Sequence, residues 1–145
     1  MDTGHWYFPT SFDPASAVGF VYRITHKVTG KSYIGKKNFW STTRKAVKGK
    51  KRKQVITKES DWKTYCSSSK EVQEDIRIHS EDQFLFLIVS IHKTKQELDF
   101  AEARLQWQLN VVSSKLPDGT KAFYNKRTEV LRFNQYTSEK VIFTP

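Results

Sequence analysis

The stretch Gly19–Arg44, GFVYRITHKVTGKSYIGKKNFWSTTR, decides the fold. Strand side chains alternate between faces, so Val18, Phe20, Tyr22 and Ile24 fall on one side of a first strand. Val28-Thr29-Gly30-Lys31 supplies a tight turn, with Gly30 free to take positive φ. Ser32-Tyr33-Ile34 returns as the second strand. Gly35 follows at once, where a side chain would block close approach of a backbone or ligand. Tyr22 and Tyr33 therefore sit on paired strands. Lys36, Lys37 and Arg44 lie just downstream, in a basic segment expected to lead into a helix.

The 145 residues fit one domain, and 37% hydrophobic with 14% aromatic content is that of a chain with a real core. A net charge of +10 points to a polyanionic partner, nucleic acid before an acidic membrane surface. The single cysteine, Cys66, has no disulfide partner and no metal-binding companion in the sequence, which argues for a reducing compartment. The longest apolar run, Phe84 to Val89, falls short of the ~20 residues that span a bilayer. The N-terminus is acidic and aromatic and lacks the apolar segment of a signal peptide.

Residues 1–17 have no clear period, yet Trp6, Tyr7, Phe8 and Phe12 are too apolar for a free tail, so this arm is expected to pack across the domain. His5 reads as a surface residue before a metal ligand. After Arg44, the cations Lys45, Lys48, Lys50, Lys51, Arg52, Lys53 and Lys58 crowd around Gly49 without an apolar stripe. The segment 45–58 reads as a loop, mobile when free, because like charges repel and nothing is buried. Its letters suit a nuclear-localisation signal equally well, but its place beside the two-tyrosine hairpin favours phosphate binding. Asp61-Trp62-Lys63-Thr64-Tyr65 reads as a helical turn with Asp61 at its cap. Ser68-Ser69-Lys70-Glu71 reads as a capping box opening a helix, with His79 near its end.

Gln83 to Ile91, nearly continuous in apolar residues, reads as a strand buried on both faces at the centre of the sheet. Thr94-Lys95-Gln96-Glu97 is a second capping box. It opens a helix to about Val111 with Leu98, Ala101, Leu105, Leu109 and Val112 inward. Glu102 lies inside that stripe. An inward carboxylate needs a partner: a salt bridge to Arg44 or a lysine, or a metal ion. Pro117-Asp118-Gly119 marks a turn, and Ala122-Phe123-Tyr124-Asn125 reads as a short strand. Residues 128–145 alternate weakly, as an extension that adds a strand or wraps the surface.

Taken together, these motifs resemble the GIY-YIG nuclease family. Tyr33-Ile34-Gly35 matches the second half-motif, and Phe20-Val21-Tyr22 keeps the tyrosine of the first. Arg44 matches by spacing the arginine that the family carries on the helix after this motif. Glu102 looks like its acidic metal ligand, Asn125 like its late asparagine, and Lys36 like its lysine. Lys48 stands where some members have a histidine. Asp61 to Tyr65 with Ser67-Ser68-Ser69 is similar to the phage Seg-like homing branch. The resemblance covers roughly residues 18 to 127 and implies an α+β fold, a small three-stranded mainly antiparallel sheet flanked by helices.

The resemblance also implies a metal-dependent DNA endonuclease, with one Mg²⁺ (or Mn²⁺) on Glu102 polarising a phosphate oxygen. Tyr22 is then the candidate general base, a role that, for a phenol of pKa near ~10, needs either cationic neighbours such as Lys36 and Arg44 or a water relay. Tyr33 would position water or phosphate, Arg44 would stabilise transition-state charge, and Asn125 would orient the surroundings. Lys37 and the cations of 45–58 would hold DNA. Ordinary aromatic packing is the alternative reading of both tyrosines. A non-catalytic nucleic-acid-binding module, or a basic ribosome-associated protein, is the alternative for the whole chain. As a monomer or dimer on DNA, the protein leaves room for a separate specificity partner. Its expected setting is the cytoplasm, that of a bacterial host if it is phage-encoded.

Overall fold

The computed structural model describes residues 1–131. In chain order the elements are β1 (Gly19–His26), β2 (Ser32–Asn38), β3 (Trp40–Lys45), β4 (Gln54–Glu59), α1 (Lys70–His79), β5 (Phe84–His92) and α2 (Lys95–Gln108). The fold is α+β: an antiparallel three-stranded sheet in the order β2-β1-β5, and a separate two-stranded ribbon, β3-β4. The β1–β2 hairpin forms as its sequence dictates, with Gly30 at φ 80° in the turn. The most telling register pair is Tyr22 opposite Gly35.

The sheet is covered on both faces. Phe20, Tyr22 and Ile24 point into an aromatic core with Trp6, Phe39, Trp62, Val72, Phe84, Phe86 and Ile88. Val21 and Ile34 point the other way, onto Leu98 of α2, Val111 and Phe123. Val18, just ahead of β1, packs with this second cluster and not with Phe20 and Tyr22. Completely burying an aliphatic or aromatic side chain of this kind stabilises by about 1.5–3 kcal/mol, so the β1–β2 hairpin is held from both sides.

The long apolar strand is not central. β5 lies at the sheet edge, and its burial alternates: Phe84, Phe86 and Ile88 face the core, while Leu85 is 45% and Val89 39% exposed. What blunts this edge is the N-terminal arm. Tyr7 N–H donates to the Phe86 carbonyl (2.8 Å), Ile88 N–H donates to the Tyr7 carbonyl (2.9 Å), and Trp6 is buried in the core. The opposite edge, β2, is covered by residues 122–125. Ser32 N–H donates to the Ala122 carbonyl and Tyr124 N–H to the Ser32 carbonyl, an isolated parallel bridge where the sequence suggested a strand.

The helix expected after Lys37 does not form. Trp40–Lys45 and Gln54–Glu59 pair antiparallel, with Arg44 opposite Val55, so only 46–53 is loop. The β-branched residues Thr42, Thr43, Val55, Ile56 and Thr57 favour strand over helix. Asp61 opens a turn (Thr64 N–H to the Asp61 carbonyl, 3.1 Å), but its carboxylate pairs with Lys37. Ser69, one residue later than the capping box placed it, caps α1 by accepting from Val72 N–H. Thr94 caps α2 as its sequence indicated. That helix stops at Gln108, and Asn110 takes φ 48°, so Val111 turns inward while Val112 stays 42% exposed. Most of the extension 128–145 lies outside the described residues.

Candidate active site

The two tyrosines come together through the hairpin register. Their ring centroids lie 6.1 Å apart, and Tyr65, from the turn after β4, meets Tyr22 edge to face at 6.1 Å. Gly35 makes this arrangement possible. A Cβ there would fall 2.5 Å from the Tyr22 hydroxyl oxygen and 2.9 Å from Tyr33 Cε1, so the phenol occupies the space a side chain would need. The register shift between Val21 and Tyr22 in the β1–β5 pairing adds a local irregularity at the same point, as bulges often do beside sites.

α2 packs against β1, β2 and β5 and brings Glu102 to the hairpin. Glu102 is 5% exposed. Its Oε1 has no hydrogen-bond partner among the described residues, because the nearest cation, Lys36 Nζ, stands 3.8 Å away. Burial pushes this carboxyl up to about 7. Lys36 opposes the shift, while Glu129 and Asp99 add to it. Lys36 itself hydrogen-bonds Asp99 on α2. Burial works against its ammonium, but Asp99 and Glu102 outweigh that and hold its pKa above the ordinary value. The salt-bridge partner foreseen for Glu102 is thus Lys36, not Arg44. A buried carboxylate oxygen with no donor, one carboxylate away from a lysine, fits a divalent cation that keeps most of its waters.

Burial first, then Tyr65, Tyr33 and Glu102, push the Tyr22 hydroxyl well above its ordinary pKa. The expected lowering by Lys36 and Arg44 does not occur, since Lys36 is engaged by carboxylates and Arg44 is elsewhere. Burial also raises Tyr33, against a side-chain hydrogen bond with Ser68. Both phenols are therefore protonated in the resting protein. Lys37 reaches the site's rim: its Nζ lies 4.0 Å over the Tyr65 ring and 2.6 Å from Asp61.

Asn125 acts on backbone. Its Oδ1 accepts from Ile34 N–H (3.0 Å) and its Nδ2 donates to the Ile34 carbonyl (2.8 Å), which clamps the strand between Tyr33 and Gly35. Gln106 donates to the same carbonyl (3.2 Å). Sequence reading missed Gln106, although it stands four residues after Glu102 on the same helix face. It also missed Tyr65 as a neighbour of Tyr22. A cleft of about 430 Å³ is lined by Tyr33, Ser68, Gln106, Asn125, Arg127 and Glu129 among others, so it borders the site at Tyr33 and Asn125.

The structure does not bring Arg44 here. It is exposed on β3, as are Lys45, Lys48, Lys50, Lys51, Arg52, Lys53 and Lys58 along the ribbon and its tip. His79 ends α1, as its sequence position suggested. His5 and Cys66 hold a surprise: with Glu81 they bring one ligand atom each within 4.8 Å of one another, so the cysteine has companions that the sequence separated by 15 residues or more. Both His5 nitrogens already face acceptors, Glu81 at 2.8 Å and the Tyr65 carbonyl at 3.0 Å. Burial and Glu81 push the Cys66 thiol above its ordinary pKa.

Residues 6–128 match the family model described as "Putative endonuclease segE, GIY-YIG domain". No curated protein and no solved structure matches the chain. Among the described residues no helix is long and apolar enough to cross a membrane.

Proposed function

Because the chain belongs to the GIY-YIG nuclease family, in its SegE-like branch, we propose that it is a DNA endonuclease that hydrolyses phosphodiester bonds with a divalent cation, Mg²⁺ or in its place Mn²⁺. The observation that carries this reading is the buried Glu102 Oε1, which has no hydrogen-bond donor among the described residues, stands 3.8 Å from Lys36 Nζ, and belongs to a carboxylate whose charge reaches both Tyr22 and Tyr33. Glu102 would hold the cation. When bound, the cation would lower the pKa of a coordinated water and neutralise phosphate charge.

The chain's own residues do the rest. Water attacks phosphorus and gives up its proton to solvent, a new P–O bond forms, and the bond to the leaving sugar oxygen breaks as that oxygen takes a proton from solvent. Tyr22, kept protonated by burial, acts as a hydrogen-bond donor that orients the attacking water or a phosphate oxygen. This replaces the general-base role expected from the sequence. Tyr33, at the mouth of the cleft, holds a second phosphate oxygen. Lys36 and Lys37, on the strand that carries Gly35, supply the positive charge that Arg44 was expected to give. Asn125 and Gln106 keep that strand in place. A homing role in a phage, inside a bacterial cytoplasm, is the biological setting that the Seg-like branch suggests.

Supercoiled plasmid tests the reading. Relaxed or linear product in Mg²⁺ and none in EDTA is the expected result. Binding without cleavage in either buffer would leave a non-catalytic DNA-binding module.

A further inference from the structure

Beyond Trp40, which packs against the aromatic core, the β3–β4 ribbon belongs to neither core. It is a two-stranded sheet of its own, tied at its base, where Phe39 is buried, Trp40 Nε1 donates to the Pro14 carbonyl (3.1 Å) and Ser60 N–H donates to the Phe39 carbonyl (2.8 Å). Residues 40–59 carry eight cations against one carboxylate, Glu59. None of the eight is in an ion pair among the described residues.

The ribbon's two faces differ. One carries the half-buried Ser41 and Ile56 among the exposed Thr43, Lys45, Gln54 and Lys58; the other, beyond the half-buried Trp40 at its base opposite Glu59, carries Thr42 opposite Thr57 and Arg44 opposite Val55, and all four of these are exposed, Val55 by 57%. Cations alone would suffice to grip phosphates. An exposed valine flanked by an arginine and two threonines is instead the chemistry of base-edge contact: guanidinium to guanine, hydroxyl to either purine or pyrimidine edge, and methyl groups to thymine. A major groove about 12 Å wide admits a two-stranded ribbon. A cleft of about 460 Å³, lined by Lys36, Lys37, Asn38, Trp40, Ser41 and Thr42 with Ser60, joins the candidate active site to this ribbon.

We propose that the β3–β4 ribbon reads DNA sequence, with Thr42, Arg44, Val55 and Thr57 at base edges in the major groove and the cations of 46–53 on flanking phosphates. The proposal rests on the reading of the chain as a DNA endonuclease. It gives the chain a source of specificity of its own, where the sequence left room for a separate partner.

The test is selection from a randomised duplex library at fixed salt in EDTA, using the Glu102→Gln protein, followed by sequencing of the bound fraction. The background protein is compared with Arg44→Ala, with Thr42→Ala/Arg44→Ala/Val55→Ala/Thr57→Ala, and with Lys50→Ser/Lys51→Ser/Arg52→Ser/Lys53→Ser. Melting temperatures within a few degrees of the background protein establish that the exposed changes leave the fold intact. The expected result is a short enriched motif. Arg44→Ala should relax one position of it, by about 5- to 150-fold, the range for a bidentate arginine contact. The fourfold face variant should lose the motif, while the tip variant keeps the motif and binds all sequences more weakly. A motif unchanged in the fourfold face variant, or tight binding with no motif at all, would overturn the proposal and leave the endonuclease reading standing. If the Glu102→Gln protein binds no DNA and the unaltered protein cuts none, the endonuclease reading itself fails.

Discussion

Tyr22 and Gly35 lie directly opposite one another on β1 and β2, and the Tyr22 hydroxyl fills the space where a Gly35 side chain would be. An ideal Cβ at position 35 would stand 2.5 Å from that oxygen and 2.6 Å from Tyr22 Cζ. Tyr22 is 1% exposed and ringed by Trp6, Phe20, Tyr33 and Tyr65, so the phenol cannot swing aside cheaply.

Gly35→Ala should therefore destabilise the fold by about 1–3 kcal/mol, the scale of core overpacking, and displace the phenol. Removing the hydroxyl relieves the closest clash. The double variant Gly35→Ala/Tyr22→Phe should melt higher than Gly35→Ala alone while remaining inactive. Thermal unfolding of the four-member cycle reads this directly, and purely additive melting shifts would contradict the contact.

Tyr22→Phe alone should lower the single-turnover rate by at least ~100-fold, the scale for losing a positioned group in the transition state. Lys36→Ala should lower it on the same scale. Arg44→Ala should change the rate at saturating DNA by less than a few-fold, because Arg44 is exposed on the ribbon. A change confined to KM for Tyr22 and Lys36 would mean that they bind substrate without acting in the chemical step.

Glu102 gives the metal-free protein a pH dependence. Its pKa is raised from 4.5 to about 7 by burial, so the folded chain holds this proton more tightly than the unfolded chain does. Stability is then fully present below the unfolded value and is lost as pH rises from about 4.5 through about 7, by an amount on the order of 3 kcal/mol. Urea unfolding in EDTA should show wild type losing more stability than Glu102→Gln between about pH 5 and pH 8. Equal slopes for the two proteins would show that the carboxyl does not titrate in this range.

The tip cations predict a salt effect. Each phosphate contact on duplex DNA adds about 0.9 to the slope of log K against log salt. Changing Lys50, Lys51, Arg52 and Lys53 to serine should flatten that slope by roughly 2 to 4 units, with the rate at saturating DNA little changed. An unaltered slope would remove the tip from the DNA interface.

Much of this architecture was legible in the chain. The β1–β2 hairpin, its Gly30 turn, the α2 cap at Thr94 and the inward Glu102 follow from alternation, capping chemistry and helical period, all of them local signals. What escaped was set by distant parts. β5 looked central because its apolar run is unbroken, but the backbone that satisfies its edge comes from Tyr7, dozens of residues away. Arg44 was expected on a helix through family spacing, against the local evidence of Thr42-Thr43 and Val55-Ile56-Thr57, which favour strands. Burial of Tyr22 reversed the direction of its pKa, because the aromatic wall around it is assembled from the arm, β1 and the 60–65 turn. Gln106 carried a readable signal, the four-residue step from Glu102, that apolar stripes do not register.

The role of Glu102 as the cation's ligand is tested most directly by the single-turnover cleavage rate of Glu102→Gln in Mg²⁺, measured alongside its melting temperature and DNA affinity. Glu102→Gln should fold, bind DNA within a few-fold of wild type and cut it no faster than wild type does in EDTA. Cleavage by Glu102→Gln at the wild-type rate in Mg²⁺ would contradict that role.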